Sequence, residues 1–314
     1  LLPSVRGAFF LNNFIKKIKK NKKSEVDMFY KDDTIVFFDG DFTRVGDIKM
    51  NPYSQSLHYG IGVFEGIRAY DTPNGVKIFK AKEHFERLLN SAKAIQLYPE
   101  YTVDDFITIS YKVLEKNNLK DAYIRPIIWL GENMTLKVSN EIHFMLTVWE
   151  WGKYLGKELV DITLSSYQKQ NPKATPLHAK ITGNYINSIL ATTEAKQKGF
   201  DEALLTDING YIAEGPGENI FMEWEGKLFT PPEGHILPGI TRQTIMQLAK
   251  EDGIEVEERF FTPQELATAD AAFFTGTAIE VAGINRIDNV TFPKEWKNTI
   301  GYHLLQKYSE YTRN

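Results

Sequence analysis

The stretch Ala179-Lys180-Ile181-Thr182-Gly183-Asn184-Tyr185 places a lysine directly before a segment with helical spacing. Further on, Glu214-Gly215-Pro216-Gly217-Glu218-Asn219-Ile220-Phe221 puts two acidic residues in a glycine-rich turn. Leu237-Pro238-Gly239-Ile240-Thr241-Arg242 predicts a helix start, and Thr275-Gly276-Thr277-Ala278 follows it. Each stretch alone has an ordinary explanation, because glycine-rich turns close hairpins and most lysines are solvated. Only their order along one chain points to a functional site.

Strand-like and helical patterns alternate around these stretches. In the first half, the sequence predicts strands at 34–38, 66–70, 76–79, 122–129 and 142–149, and helices at 82–96 and 103–117. In the second half, it predicts strands at 162–167, 202–206, 211–221, 227–230 and 272–275, and helices at 184–198 and 241–251. We therefore predict an α/β protein, with α+β character, and place a domain boundary within 145–155.

The first 27 residues differ in charge from the rest of the chain. Six lysines and Arg6 outnumber Glu25 and Asp27 there, although the whole chain has a formal net charge of −4. The chain starts with Leu1, and Met28 directly precedes the first strand-like region. We expect residues 1–27 to be translated upstream sequence, a cloning remnant or a basic leader, disordered and outside the fold.

The composition excludes several classes of function. Hydrophobic residues make up 42% and charged residues 25% of the 314 residues, as in ordinary globular proteins. Because there is no cysteine, disulfides, thiolate-bound zinc, iron–sulfur clusters and a cysteine nucleophile are excluded. The six histidines are scattered, so we predict no metal site. The acidic balance and the lack of a long apolar run predict a cytoplasmic protein that binds neither nucleic acid nor membrane.

The four stretches, in this order, resemble the class IV (fold type IV) aminotransferases, which use pyridoxal phosphate (PLP). Five further blocks narrow the resemblance to the branched-chain-amino-acid aminotransferases. They are His58-Tyr59-Gly60, Val63-Phe64-Glu65-Gly66-Ile67-Arg68, Glu83-His84-Phe85-Glu86-Arg87-Leu88, Ala122-Tyr123-Ile124-Arg125-Pro126 and Trp151-Gly152-Lys153-Tyr154-Leu155-Gly156. The resemblance implies a small domain (28–150), a large PLP-binding domain (151–314) and a cofactor between them.

The resemblance also implies which residues hold the cofactor. Lys180 matches the lysine that forms an imine with PLP and, once substrate displaces it, moves the proton between Cα and C4′. Tyr185 matches the partner of the cofactor's phenolic oxygen, and Glu214 matches the anion that keeps the pyridine nitrogen protonated. Glu218 is expected to be structural. The expected phosphate contacts, at a helix start and from a cation, are Gly239, Ile240, Thr241, Thr277 and Arg87.

For the substrate, the resemblance implies one pocket that accepts an aliphatic side chain in one half-reaction and the carboxylate of glutamate in the other. The matching aromatic residues are Phe64, Tyr59, Tyr154 and Tyr185. Tyr123, with the backbone N–H groups of Thr277 and Ala278, would bind the α-carboxylate. Arg125 would bind the second carboxylate of glutamate, and Arg68 would help to hold this network.

The chain departs from the family pattern at two places. Some relatives have a Cys-x-x-Cys pair after the second phosphate-loop glycine, whereas Thr277-Ala278 follow Gly276 here, so we expect no thiol regulation. The segment 131–142 is shorter than in typical bacterial members, where it carries a loop that contacts the neighbouring subunit's pocket. Lys137 or Val138 would take that place, and the sequence leaves open which. We expect a homodimer or a dimer-based hexamer.

These observations predict reversible amino transfer between leucine, isoleucine or valine and 2-oxoglutarate. One alternative is another enzyme of the same fold, a D-amino-acid aminotransferase or an aminodeoxychorismate lyase, and the blocks at 64–68 and 123–125 count against it. A second alternative is a catalytically silent relative kept as a binding protein, but that protein would have lost Lys180 or Glu214. The preferred branched-chain substrate and the metabolic direction stay open.

Overall fold

The computed structural model describes residues 29–151 and 157–314, so the predicted leader and Tyr154 lie outside the described residues. Its first half forms a seven-stranded antiparallel sheet. The strands are β1 (Ile35–Phe38), β2 (Asp41–Arg44), β3 (Gly62–Phe64), β4 (Ile67–Thr72), β5 (Gly75–Ile78), β6 (Ala122–Leu130) and β7 (Ile142–Trp149). Their order is β2-β1-β7-β6-β4-β5, and β3 pairs with the far end of β6.

Turn chemistry and apolar spacing explain this half. The predicted Asp39-Gly40 turn joins β1 to β2, and the hairpin of β4 and β5 closes at Asn74-Gly75, where Gly75 has a φ of +103°. Three helices lie in this half: α1 (Gln55–Tyr59), α2 (Ala81–Ala94) and α3 (Val103–Lys116). The buried faces of α2 and α3 pack against the sheet and form one core with it.

The second half forms a nine-stranded mixed sheet. Its strands are β8 (Leu159–Gln168), β9 (Glu202–Thr206), β10 (Ile212–Glu214), β11 (Asn219–Trp224), β12 (Lys227–Thr230), β13 (Val256–Glu258), β14 (Ala271–Gly276), β15 (Glu280–Ile287) and β16 (Val290–Thr291). The order is β10-β9-β8-β15-β14-β11-β12-β13, with β16 on β15. Because β10 also pairs with β11, the strands from β10 round to β11 close into a ring.

Four helices accompany the second sheet: α4 (Tyr185–Gln197), α5 (Ile240–Glu251), α6 (Pro263–Ala267) and α7 (Ile300–Arg313). The sequence patterns did not predict α6, α7 or β15. One core cluster joins Tyr70 and Phe79 of the first half to Phe221, Phe273 and Tyr308 of the second, so the two halves pack against each other. The boundary between 28–150 and 151–314 stays a prediction. Within 29–151 and 157–314, every helix is too short or too polar to cross a bilayer.

Candidate active site

A pocket lies where the two halves meet, and both halves line it. Its lining residues include Gly66, Arg87, Tyr123, Lys180, Asn219, Leu237, Gly239, Ile240, Thr241, Thr275, Gly276, Thr277 and Ala278. Lys180 is fixed between the halves by its backbone, because its carbonyl accepts from Phe64 N at 3.1 Å and its N–H donates to Ser91 Oγ at 2.9 Å. Residues from stretches that are far apart in the sequence therefore meet in one place.

Lys180 is a buried amine in contact with a buried phenol. A 3-10 turn at Thr182–Asn184 leads into α4, so Tyr185 comes back beside Lys180, and the Nζ–Oη distance is 2.5 Å. The Phe64 ring centroid also lies 4.9 Å from Nζ. Burial lowers the pKa of Lys180 to about 8 and raises the pKa of Tyr185 above its usual range. This lysine therefore reaches the neutral, nucleophilic form far more readily than an exposed one.

Glu214 is a buried carboxylate at the end of β10, and three donors hold it. Lys169 Nζ lies 2.7 Å from Oε1, Asn219 Nδ2 donates to Oε2 at 2.9 Å, and Leu237 N lies 3.2 Å from both oxygens. Burial alone would lower the pKa of Lys169, but the charge of Glu214 raises it. No sequence pattern marks Lys169, which follows β8 in a segment that reads only as a polar loop. The ammonium of Lys169 and the carboxylate of Glu214 form an ion pair inside the protein.

The start of α5 provides free backbone donors at the other end of the pocket. Gly239 precedes the helix, and no side-chain cap covers the first N–H groups of Ile240 and Thr241. A Cβ on Gly239 would lie 1.9 Å from Asn219 Oδ1, so only glycine fits there. Thr275 Oγ1 is buried without a hydrogen-bond partner among the described residues. Free donors at a helix start suit an anion such as phosphate.

Arg87 adds a positive charge to this end, and a buried network fixes it. Its NH1 donates to Pro238 O at 2.8 Å across the interface, and its Nε and NH2 donate to the two oxygens of Glu65 at 2.6 and 2.9 Å. His84 Nδ1 lies 2.8 Å from Glu65 as well. Burial alone would raise the pKa of Glu65, but Arg87 and His84 hold it far below its ordinary value. Glu65 and His84 lie in motifs of the family resemblance, but no sequence pattern predicted their pairing with Arg87.

Several of the predicted substrate residues lie near Lys180 and contact one another. The rings of Phe64 and Tyr185 are 4.8 Å apart, and a Cβ on Gly66 would lie 1.9 Å from Tyr123 Oη, which explains this glycine. Arg68 donates to Ala278 O at 3.3 Å and thereby joins the two halves. The Arg125 guanidinium lies 4.8 Å from the Phe64 centroid.

One predicted substrate residue does not join this cluster. Tyr59 is 47% exposed at the end of α1 and donates to Met134 O.

The 131–142 segment is expected to contact the neighbouring subunit's pocket, and that expectation stays a prediction. In this chain, Val138 packs against the core, and the carbonyl of Lys137 accepts from Gln55. Glu218 is buried, burial raises its pKa to about 8, and its Oε2 accepts from Gly217 N.

The residues present fit PLP. The site offers an amine with a lowered pKa, a phenol in contact with it, a buried carboxylate paired with a lysine, and a helix start with unpartnered donors. These groups match the aldehyde, phenolic oxygen, pyridine nitrogen and phosphate of the cofactor in chemical type.

Comparisons with known proteins agree with this geometry. Residues 62–287 match the family described as amino-transferase class IV. The branched-chain-amino-acid aminotransferase of Pseudomonas aeruginosa is 41% identical over 262 residues, covering 82% of this chain and 85% of that protein. The crystal structure of the Escherichia coli branched-chain amino acid aminotransferase superposes with a TM-score of 0.86 at 37% identity, covering 89% of this chain and 94% of that chain.

A related structure also carries the cofactor. The branched-chain amino acid aminotransferase of Thermobaculum terrenum, in its PLP-bound holo form, superposes with a TM-score of 0.84 at 29% identity, covering 90% of this chain and 95% of that chain. The predictions of an α/β protein of fold type IV and of PLP as the cofactor are confirmed. The chain belongs to the class IV aminotransferases and, within them, to the PLP-dependent branched-chain-amino-acid aminotransferases.

Proposed function

We propose that this enzyme transfers the amino group of L-leucine, L-isoleucine or L-valine reversibly to 2-oxoglutarate, with PLP held by Lys180. The observation that carries this proposal is the buried Lys180–Tyr185 pair beside a pocket that contains both free anion-binding donors and apolar surface. The names of the relatives support the choice of branched-chain substrates.

Each residue has a task in this proposal. PLP, when bound, supplies an aromatic ring that accepts the electron pair left on Cα when its proton departs. Lys180 Nζ takes that proton and returns it, which its lowered pKa favours because the neutral amine is a base. Tyr185 would donate to the phenolic oxygen of PLP, and Glu214 would accept from its pyridine N–H. Arg87 and the α5 start, Gly239 to Thr241 with Thr277, would hold its phosphate.

The pocket must hold two kinds of substrate in turn. Tyr123 and the backbone of Thr277 and Ala278 bind the α-carboxylate that all substrates share. Phe64 and Tyr185 exclude water around an aliphatic side chain, and Arg125 binds the second carboxylate of glutamate or 2-oxoglutarate. Because one pocket binds the amino donor and the oxo acceptor in turn, the kinetics should be ping-pong.

A coupled assay tests this proposal. Purified enzyme is offered L-leucine, L-valine, L-phenylalanine and D-alanine against 2-oxoglutarate. We expect the highest kcat/KM with the branched-chain substrates and no turnover of D-alanine. Lys180→Ala should abolish turnover and the visible absorption of bound PLP, whereas Lys173→Ala, which removes an exposed lysine of the same loop, should change neither. Full activity of Lys180→Ala would refute the assignment.

We also propose that the enzyme is a homodimer. An ordinary surface helix buries its large apolar side chains, but α4 buries its small residues Ser188, Ala191 and Ala195 instead. Its large apolar residues Ile186 and Ile189 are 57% and 61% exposed. A second copy of the chain over this face would bury them. A cytoplasmic location and a dimer-based hexamer stay predictions.

A further inference from the structure

Three arginines of the site differ in their partners. Arg87 pairs with Glu65 at 2.6 Å, and Arg68 has Glu280 at 3.9 Å. Arg125 has no carboxylate partner within 29–151 and 157–314, and its Nε is buried without a hydrogen-bond acceptor there. A buried Nε–H without an acceptor is costly, so the protein must stabilise this charged group in another way.

Aromatic rings surround this charge. The Arg125 Cζ atom lies 4.8 Å from the ring centroid of Phe64, 5.4 Å from that of Tyr123 and 5.7 Å from that of Trp149. All three distances are within the range of cation–π attraction, which is larger when the cation is desolvated. The rings stabilise Arg125 without neutralising it, so its N–H donors are still available to an incoming anion.

Strand register places Trp149 in this group. In the antiparallel pair of β6 and β7, Trp149 is opposite Tyr123 and Thr147 is opposite Arg125, so the side chains of Tyr123, Arg125 and Trp149 share one face of the sheet. The Trp149 ring centroid is 5.2 Å from that of Tyr123 and 5.7 Å from that of Phe29, so Trp149 packs against both rings.

Trp149 differs from the other two rings in what else it contacts. Phe64 also lies against Lys180 and Tyr185, and Tyr123 lies against Gly66. Trp149 contacts Arg125 and other aromatic rings, and its indole Nε1 is buried without a partner among the described residues. Since a buried indole N–H ordinarily finds an acceptor, packing of the ring accounts for the position of this residue better than a hydrogen bond does.

We propose that Trp149 is a specificity-determining residue: its ring holds Arg125 unpaired and in place, so that the pocket accepts a second carboxylate. This inference rests on the proposed function, in which Arg125 binds that carboxylate. Trp149 acts through Arg125 and is therefore a positioning residue. Removing its ring should weaken the use of dicarboxylic substrates and leave the use of branched-chain substrates nearly unchanged.

Steady-state kinetics of Trp149→Leu and Trp149→Met test the proposal, with visible PLP absorption as the check that each variant folds. In both variants we expect KM for 2-oxoglutarate to rise roughly fivefold or more, and KM for 4-methyl-2-oxopentanoate and both kcat values to change less than about twofold. Trp149→Phe keeps a ring and should stay within about twofold of the parent enzyme for both substrates. Trp129→Leu is the matched control, because Trp129 packs on Phe38 and His143.

A binding measurement supplies a second readout that needs no turnover. Glutarate has two carboxylates and 4-methylpentanoate has one, and neither carries an amino or oxo group that reacts. The ratio of the holoenzyme's affinity for glutarate to its affinity for 4-methylpentanoate should fall in Trp149→Leu and Trp149→Met. The same ratio should stay unchanged in Trp129→Leu. An unchanged ratio in both ringless variants, or an equal loss for both ligands, would overturn the proposal. If the parent enzyme used no branched-chain substrate, the proposed function would fail, while this ratio would still test the Trp149–Arg125 pair.

Discussion

At the scale of single residues, environment determines the chemistry of Lys180. An exposed lysine has a pKa of about 10.4, so nearly all exposed lysine side chains are protonated at neutral pH. Burial lowers the pKa of Lys180 to about 8, although Glu65 acts in the opposite direction. The carboxylate that fixes Arg87 therefore also limits how far the pKa of the lysine falls.

This lowered pKa leads to a pH prediction. Only the neutral amine attacks an aldehyde, so the PLP-free enzyme should recombine with PLP faster as pH rises through about 8, and the rate should level off above it. Stopped-flow absorbance of the recombination from about pH 6.5 to pH 9.5 measures this. A rate that kept rising until about pH 10 would show that Lys180 is solvated. Lys173→Ala should have the parent profile.

Two pairs of residues show how much of the site could be predicted from the sequence. Tyr185 follows Lys180 by five residues at a helix start, and the resemblance to the family assigned both residues to the cofactor. Lys169 follows β8 and Glu214 ends β10, and the pairing of both strands with β9 brings the two side chains within 2.7 Å. No local pattern marks Lys169, because its neighbours in the sequence do not form the site.

At the scale of secondary structure, the helix starts divide into two types. Thr102, Thr262 and Thr299 cap α3, α6 and α7 with their side chains, and the first two belong to capping boxes. In contrast, α5 starts at Gly239 without a side-chain cap. Its free N–H groups lie at the pocket, where a phosphate would satisfy them.

The two types predict different effects of substitution. Gly239→Ala places a Cβ against Asn219, which holds Glu214, so we expect PLP affinity to fall about tenfold or more. Thr102→Ala removes a cap remote from the pocket and should lower the free energy of unfolding by about 1 kcal/mol, with PLP affinity unchanged. Equilibrium binding of PLP and urea denaturation measure the two effects. Equal PLP affinity in both variants would contradict the role given to α5.

At the scale of the whole molecule, the site depends on the packing of the two halves. Arg87, Tyr123 and Gly66 come from the first sheet and its helices, whereas Glu214 and the α5 start come from the second. The core cluster that contains Tyr70 and Phe273 fixes the halves relative to each other. The pocket therefore forms only when both halves have folded and docked.

The exposed apolar face of α4 leads to a prediction of the oligomeric state. Sedimentation of the holoenzyme should give twice the chain mass of 36.0 kDa, because the exposed apolar face of α4 needs a covering partner. Ile186→Glu combined with Ile189→Glu should shift the mass toward the single chain by placing charges on that face. Val290→Glu changes a 41% exposed apolar residue of β16 and serves as the control. A monomeric parent enzyme at micromolar concentration would contradict the proposed dimer.

Most strands and helices of the first half could be predicted from the sequence, because they follow from apolar periodicity and from turn residues such as Asn74-Gly75. The family and the cofactor followed from the resemblance of short motifs that keep their order along the chain. The Lys169–Glu214 and Glu65–Arg87 pairs and the rings around Arg125 form only in the folded molecule. The physical reason is that each of these depends on groups distant in the chain that are desolvated together, and desolvation is a property of the packed molecule.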